Sequence, residues 1–132
     1  MTNSSPIKLL IVDDNDANRY ALSRLLTNRG VEVSEASNGC KAMQMAERLP
    51  HLILMDIHLP DMTAYDVLQK LRSKERTESI PVILMSAVEP APNARSMAMS
   101  LGVHSFLTLP VLTDDLWIVI QAAMHRHSES RE

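Results

Sequence analysis

The feature that most constrains this chain is an alternation, five times over, of a short apolar run bounded by turn residues with a stretch whose apolar positions recur at helical spacing. Lys8 to Val12 (KLLIV), Val31 to Ala36, Leu52 to Met55, Pro81 to Met85 (PVILM) and Ser105 to Leu107 read as strands. Continuous apolar runs of that length suit strands buried on both faces. Helices are expected over Asp16 to Asn28, Cys40 to Arg48, Tyr65 to Ser73, Asn93 to Leu101 and Thr113 to His127, with Gly30 and Gly102 as stop signals. Ala17, Tyr20, Ala21 and Leu25, with Leu22 and Leu26 beside them, form the expected inward face of the first helix. Ala42, Met43 and Ala46 do so in the second. Strands and helices that alternate through short connections call for an α/β domain, a doubly wound five-stranded parallel sheet with helices on both faces.

At 132 residues the chain is the size of one domain and long enough to bury roughly two-thirds of its unfolded surface. One domain over 1–132 is expected, with its core at about 7–127 and polar, frayed ends. Aromatic residues make up only 3% against nine Met, so the core has to be aliphatic and thioether-rich. A net charge of −3 offers no basic footprint for nucleic acid, and no apolar run approaches the ~20 residues that cross a bilayer. A single cysteine, Cys40, expected to be packed or half-exposed, and a start without a long apolar leader fit a cytoplasmic protein. The five His residues lack zinc-ligand spacing.

In doubly wound sheets, chemistry collects beyond the carboxyl ends of the strands. The first run ends in Asp13 and Asp14, the third in Asp56, and the fourth in Ser86 and Ala87. Carboxylates gathered at one edge repel each other unless a cation sits among them, and Mg²⁺ is the hard ion that such oxygen ligands suit. A carboxylate beside it can act as a nucleophile toward a phosphoryl group. Each piece also has a plainer reading: an acidic pair after a strand is often a turn, with Asp14 or Asp16 capping the next helix.

The motifs LLIVDDNDANR, LILMDIHLPDMTAYDVL, PVILMSA and GVHSFLTLPV, in that order and spacing from about Lys8 to about Arg126, resemble the receiver domain of two-component signalling response regulators, the CheY-like superfamily. The resemblance implies strand order 2-1-3-4-5 and Mg²⁺ as cofactor. It makes Asp56 the phosphoacceptor, Asp13 and Asp14 metal ligands, and His58 a ligand through its backbone carbonyl. Ser86 becomes the hydroxyl that bonds the phosphoryl group, with Ala87 leaving room beside it, and Phe106 the aromatic residue that turns with Ser86. The implied partner is a histidine kinase or histidine phosphotransfer protein.

Two departures from the family stand out. Leu109 precedes Pro110 where the family has a lysine, and the segment from Leu101 to Gln121 contains no Lys or Arg; His104 is a poor substitute. Phosphorylation-driven switching is therefore expected to be weakened while Mg²⁺ binding persists. Ala64 stands where the loop usually has Gly, which matters only if the position needs positive φ.

In the last helix Leu116, Ile120, Ala123 and Met124 form one stripe, yet Trp117, Ile118 and Val119 are apolar too. That suggests an interface with Trp117 as its anchor, in keeping with the family's dimer face of fourth helix, fifth strand and fifth helix; the plainer reading lays Trp117 over a neighbouring loop. Two function classes follow: a phosphoacceptor signalling module, not an enzyme, or a pseudo-receiver that works as a phosphorylation-independent interaction or dimerisation module. An aspartate-nucleophile phosphatase would need an acid where His58 stands, and a flavodoxin would need a phosphate loop where the chain has acidic DDNDANR. The chain is either a stand-alone receiver or a piece of a larger regulator or hybrid kinase.

Overall fold

The computed structural model describes residues 6–88, 90–109 and 113–130. Five strands, β1 (Lys8–Val12), β2 (Glu32–Ala36), β3 (Leu52–Asp56), β4 (Val82–Ser86) and β5 (Val103–Thr108), alternate with five helices, α1 (Asp16–Thr27), α2 (Gly39–Ala46), α3 (Ala64–Arg72), α4 (Pro92–Ser100) and α5 (Thr113–Ser130). All pairings are parallel, in the order β2-β1-β3-β4-β5. β5, expected as a three-residue strand, runs over six residues and pairs with β4 past an irregularity between Val82 and Ile83.

Strand side chains alternate between faces, so each apolar run feeds two cores. Leu9, Ile11, Leu52, Leu54, Ile83 and Met85 face α1 and α5, meeting Leu26, Leu116, Ile120 and Ala123. Leu10, Val12, Ile53, Met55, Val82 and Leu84 face α2, α3 and α4, meeting Ala42, Ala46, Val67, Leu68, Leu71 and Ala98. That is why β1, β3 and β4 carry no polar residue in mid-strand, whereas β2, at the sheet edge, exposes Glu32 and Glu35. Among the described residues no helix is long and apolar enough to cross a membrane.

The inward face assigned to α1 from periodicity is corrected. Ala17, Tyr20 and Ala21 are exposed, Tyr20 by 61%. Leu26 is buried, Leu22 and Leu25 pack against the core, and Arg19 is drawn inward with them. The helix is rotated because a charged residue, discounted by an apolar count, has partners beneath it. Cys40 is exposed.

α5 uses the stripe expected of it, but the rest of its apolar surface is mostly covered from within. Trp117 and Val119 pack against the α1/α5 core, and the Arg29 guanidinium lies 5.2 Å from the Trp117 ring centroid. Trp117 is therefore half-buried within its own domain, while Ile118 is 62% exposed.

At the amino-terminal edge of the sheet, Arg72 holds two connections together. Its Nε donates to Leu101 O (2.7 Å), and Nη1 to Ile80 O (2.8 Å) and Glu78 O (3.0 Å), tying the α3–β4 loop to the α4–β5 turn. Burial holds the guanidinium's pKa below its ordinary value. Arg72→Lys keeps the charge but loses the planar fork. We expect it to lower stability by about 2 kcal/mol and the melting temperature by several degrees; an unchanged thermal melt would remove Arg72 from this role.

Candidate metal and phosphoacceptor site

In a 2-1-3-4-5 sheet the chain runs one way from β1 to β2 and the other way to β3, which opens a crevice at the carboxyl ends of β1 and β3. Asp13 and Asp14 follow β1 directly and Asp56 is the last residue of β3, so the topology delivers all three to that crevice. One ligand oxygen from each lies within 4.8 Å of the others. Among the described residues this is the cluster of His, Cys, Asp or Glu able to hold a metal ion.

The three are not equivalent. Asp13 is fully buried, Asp56 half-buried and Asp14 exposed. Asp13 Oδ1 accepts from the Asn15 N–H at 2.9 Å, while its Oδ2 is buried with no hydrogen-bond partner. A buried, unpartnered oxygen on a carboxylate clustered with two others is poorly satisfied by protein alone and well matched to a hard divalent cation. The acidic residues do not cap α1: Asn15 is the N-cap, its side chain accepting from Asn18 N–H, which leaves Asp13 and Asp14 available to the crevice.

Asp56 Oδ1 accepts from the His58 backbone N–H at 2.9 Å, and His58 forms an isolated antiparallel bridge to Thr63. The β3–α3 loop is held further along by Asp61, whose two carboxylate oxygens accept from the Gly39 and Cys40 N–H groups at the start of α2 (2.7 and 2.9 Å). Those bonds keep the Asp61 carboxyl below its ordinary pKa. Thr63 and Asp66 form a capping box for α3. Ala64, the next residue, is buried, helical and without positive φ, so the absence of Gly there imposes no backbone strain.

Ser86 ends β4, buried, with its Oγ accepting from the Val88 N–H at 3.2 Å. Ala87 is exposed beside it. Phe106, on β5 opposite Leu84, packs partly against the α2/α3/α4 core with the Arg95 guanidinium 4.9 Å from its ring centroid. Leu109 N–H donates to Ser86 O at 2.8 Å, and the Leu109 side chain joins the α1/α5 core together with Leu107 and Trp117. At the position where the resemblance implies a lysine before a proline, Leu109 is an aliphatic group that packs against the α1/α5 core. Pro110, the second half of that motif, lies outside the described residues.

One group that periodicity concealed is Arg19. It reaches from α1 to Asp13 O (2.7 Å), Glu35 Oε1 on β2 (2.9 Å) and Asp16 Oδ1 (2.7 Å).

Burial raises the Asp13 pKa, opposed by the Asn15 hydrogen bond and reinforced by the charges of Asp56 and Asp14. Burial likewise raises that of Asp56, opposed by the His58 N–H. A carboxyl that holds its proton more tightly folded than unfolded makes the native state lose stability as pH rises from 3.8 through the raised values, and the loss persists at neutral pH.

A doubly wound parallel domain with three carboxylates at its switch point and a buried hydroxyl on the next strand defines a class of signalling module, and sequence relationships agree. The family model for the response regulator receiver domain matches residues 9–121, and the chain belongs to that family. It is 38% identical over 112 residues to the response regulator PleD of Caulobacter vibrioides, covering 84% of this chain and 24% of that protein. The two-component response regulator ORR3 of Oryza sativa subsp. indica is 32% identical over 110 residues, 82% of this chain and 83% of its own. The chain thus spans about a quarter of PleD but most of ORR3. A CheY-like response regulator receiver domain protein from Methanospirillum hungatei JF-1 shares the fold with a TM-score of 0.88 at 24% identity, over 96% of this chain and 99% of that one. The receiver domain of sensor histidine kinase PA1611 from Pseudomonas aeruginosa PAO1, with a TM-score of 0.81 at 26% identity over 91% and 98%, has a magnesium ion coordinated in its active-site cleft.

Like charges at this separation repel by about 1–3 kcal/mol for effective dielectric constants between that of water and that of a protein surface. Asp13→Asn still accepts the Asn15 N–H and removes one charge. Its melting temperature in chelator at pH 7 is expected to exceed that of wild type by several degrees, with the gap shrinking toward pH 4; a lower melting temperature at neutral pH would contradict the charge argument.

Proposed function

We propose that the chain accepts a phosphoryl group on Asp56 from a histidine kinase or histidine phosphotransfer protein, with Mg²⁺ held by Asp13, Asp14, Asp56 and the backbone carbonyl of His58. The observation that carries this reading is the convergence of carboxylate oxygens of Asp13, Asp14 and Asp56 within 4.8 Å, with Asp13 Oδ2 buried and without a hydrogen-bond partner. Bound there, the ion would offset carboxylate and phosphoryl charge. The chain's own residues do the rest. Asp56 presents a carboxylate oxygen as nucleophile, and the His58 N–H fixes the carboxylate's rotation. The Ser86 hydroxyl, now bonded to the Val88 N–H, is the donor for a phosphoryl oxygen once it turns. Phe106 turns with it, and the change passes to β5 and α4.

Leu109 removes the charge-assisted contact that the family's lysine supplies, a loss of ~1.5–3 kcal/mol in phosphoryl stabilisation. Weakened switching follows: Asp56 is phosphorylated, but the modified state is less favoured. The test is incubation with Mg²⁺ and acetyl phosphate, read by intact mass, with beryllofluoride binding as a second readout. An adduct is expected in wild type, none in Asp56→Asn, and Leu109→Lys should tighten beryllofluoride binding roughly 10- to 100-fold. Failure of wild type to form an adduct or bind beryllofluoride at millimolar Mg²⁺ would refute the phosphoacceptor reading.

A second reading, a phosphorylation-independent interaction or dimerisation module using the α4, β5 and α5 face, is favoured by Leu109, whose side chain packs against the α1/α5 core and brings no cation. Its apolar contact would centre on Ile118, with Met97 and Met99 exposed on α4, and not on Trp117. On this reading wild type is dimeric in solution without phosphoryl donor, and Ile118→Glu is monomeric; a monomeric wild type at high concentration ends it.

A further inference from the structure

Arg19 is a cation turned inward from a helix whose neighbouring positions Ala17, Tyr20 and Ala21 face outward. Its side chain is 17% exposed, against 88% for Asp16 and 41% for Glu35. Two bonds on charged partners would suffice for a surface ion pair, a contact worth little by itself. The third is different in kind. Arg19 Nη1 donates to the carbonyl oxygen of Asp13, and that carbonyl belongs to the peptide unit joining Asp13 to Asp14.

A peptide unit is planar and rigid, so holding its oxygen sets the positions of both flanking α-carbons and the directions in which the two side chains leave them. The other side of Asp13 is fixed as well: its N–H donates to Ala36 O at 3.1 Å, and its Oδ1 accepts from Asn15 N–H. Asp14 has no such support of its own in the sheet, being exposed and beyond the last paired residue of β1. The Glu35 and Asp16 carboxylates hold the guanidinium from two further directions, one on β2 and one in the first turn of α1. The guanidinium therefore triangulates the β1–α1 junction against the sheet edge.

We propose that Arg19 is a positioning residue for the metal site, fixing the Asp13–Asp14 peptide so that both carboxylates converge with Asp56. This rests on the reading of the acidic trio as a Mg²⁺ site. The role is one of geometry. The two carboxylates that flank Arg19 already offset its charge, and any residual positive charge would oppose a cation in the crevice. Charge and geometry therefore predict opposite signs on removal.

The test is Mg²⁺ binding by isothermal titration calorimetry on the full chain, well below the melting temperature, for wild type, Arg19→Met and Arg19→Lys. Arg72→Lys serves as a destabilised control at the opposite edge of the sheet. Arg19→Met keeps the aliphatic stem without donors; Arg19→Lys keeps the charge as a single point that cannot serve acceptors in three directions. Both Arg19 variants are expected to raise the Mg²⁺ Kd about tenfold, as loss of a residue supporting metal ligands does, while Arg72→Lys melts earlier but keeps the wild-type Kd. An unchanged or tighter Kd in Arg19→Met, a wild-type Kd in Arg19→Lys, or equal weakening in Arg72→Lys would each overturn the proposal while leaving the metal-site reading standing. Absence of Mg²⁺ binding by wild type would overturn both.

Discussion

Three carboxylates held within 4.8 Å of one another, the innermost fully buried, are the constraint around which the domain is arranged. Nothing in the energetics of a metal-free fold favours this. Burial and mutual repulsion both raise the pKa values of Asp13 and Asp56, so the crevice is a place of stored unfavourable charge. The sheet can bear it because β1, β3 and β4 are apolar on both faces and packed between two layers of helices, which fixes the strand ends whatever the acids prefer. A rigid aliphatic frame with an electrostatically poised edge is what a phosphorylation-responsive module requires, since only groups with differential affinity for two states shift a population.

Much of this arrangement is legible in the sequence because it depends on period and position. Apolar runs of five residues interleaved with helical periodicity yield the α/β class, and acids directly after the first and third runs yield the trio, since the topology alone brings those two ends together. Helix boundaries differ by one to three residues: α3, capped by Thr63, starts at Ala64 and not at Tyr65, whereas α1, capped by Asn15, starts at Asp16 as expected.

What periodicity hides is any inward residue whose partner is not apolar. Arg19 sits on the inner face of α1 because of a backbone carbonyl and two carboxylates, and a count of apolar positions rotates the helix away from it. Trp117 is the converse case. Its size and its place in an all-apolar stretch suggest a contact surface, but the Arg29 guanidinium at the end of α1 lies over the ring, an arrangement set by residues 88 apart in sequence. Both arrangements have one physical origin: arginine joins charge to a flat, weakly hydrated surface, so it covers aromatics and bonds carbonyls in places where pattern rules expect leucine.

Leu109 connects the two halves of the structure. Its backbone N–H donates to Ser86 O, so the carboxyl ends of β4 and β5 stay joined. Its side chain, however, packs against the α1/α5 core, as those of Leu107 and Trp117 do. In a receiver with lysine at this position, the coupling between acid site and last helix is electrostatic and appears when the phosphoryl group arrives. Here the corresponding contact is apolar and present from the start. Apolar packing does not discriminate between a carboxylate and its phosphorylated form, so on the phosphoacceptor reading proposed above it would hold α5 in one arrangement irrespective of the state of Asp56. On that reading the route left open from Asp56 to the surface would run through Ser86, Phe106 and α4, where Arg95 lies over the Phe106 ring. On the proposed phosphoacceptor reading, a change at Asp56 would therefore leave by the fourth helix, with the fifth as a fixed wall.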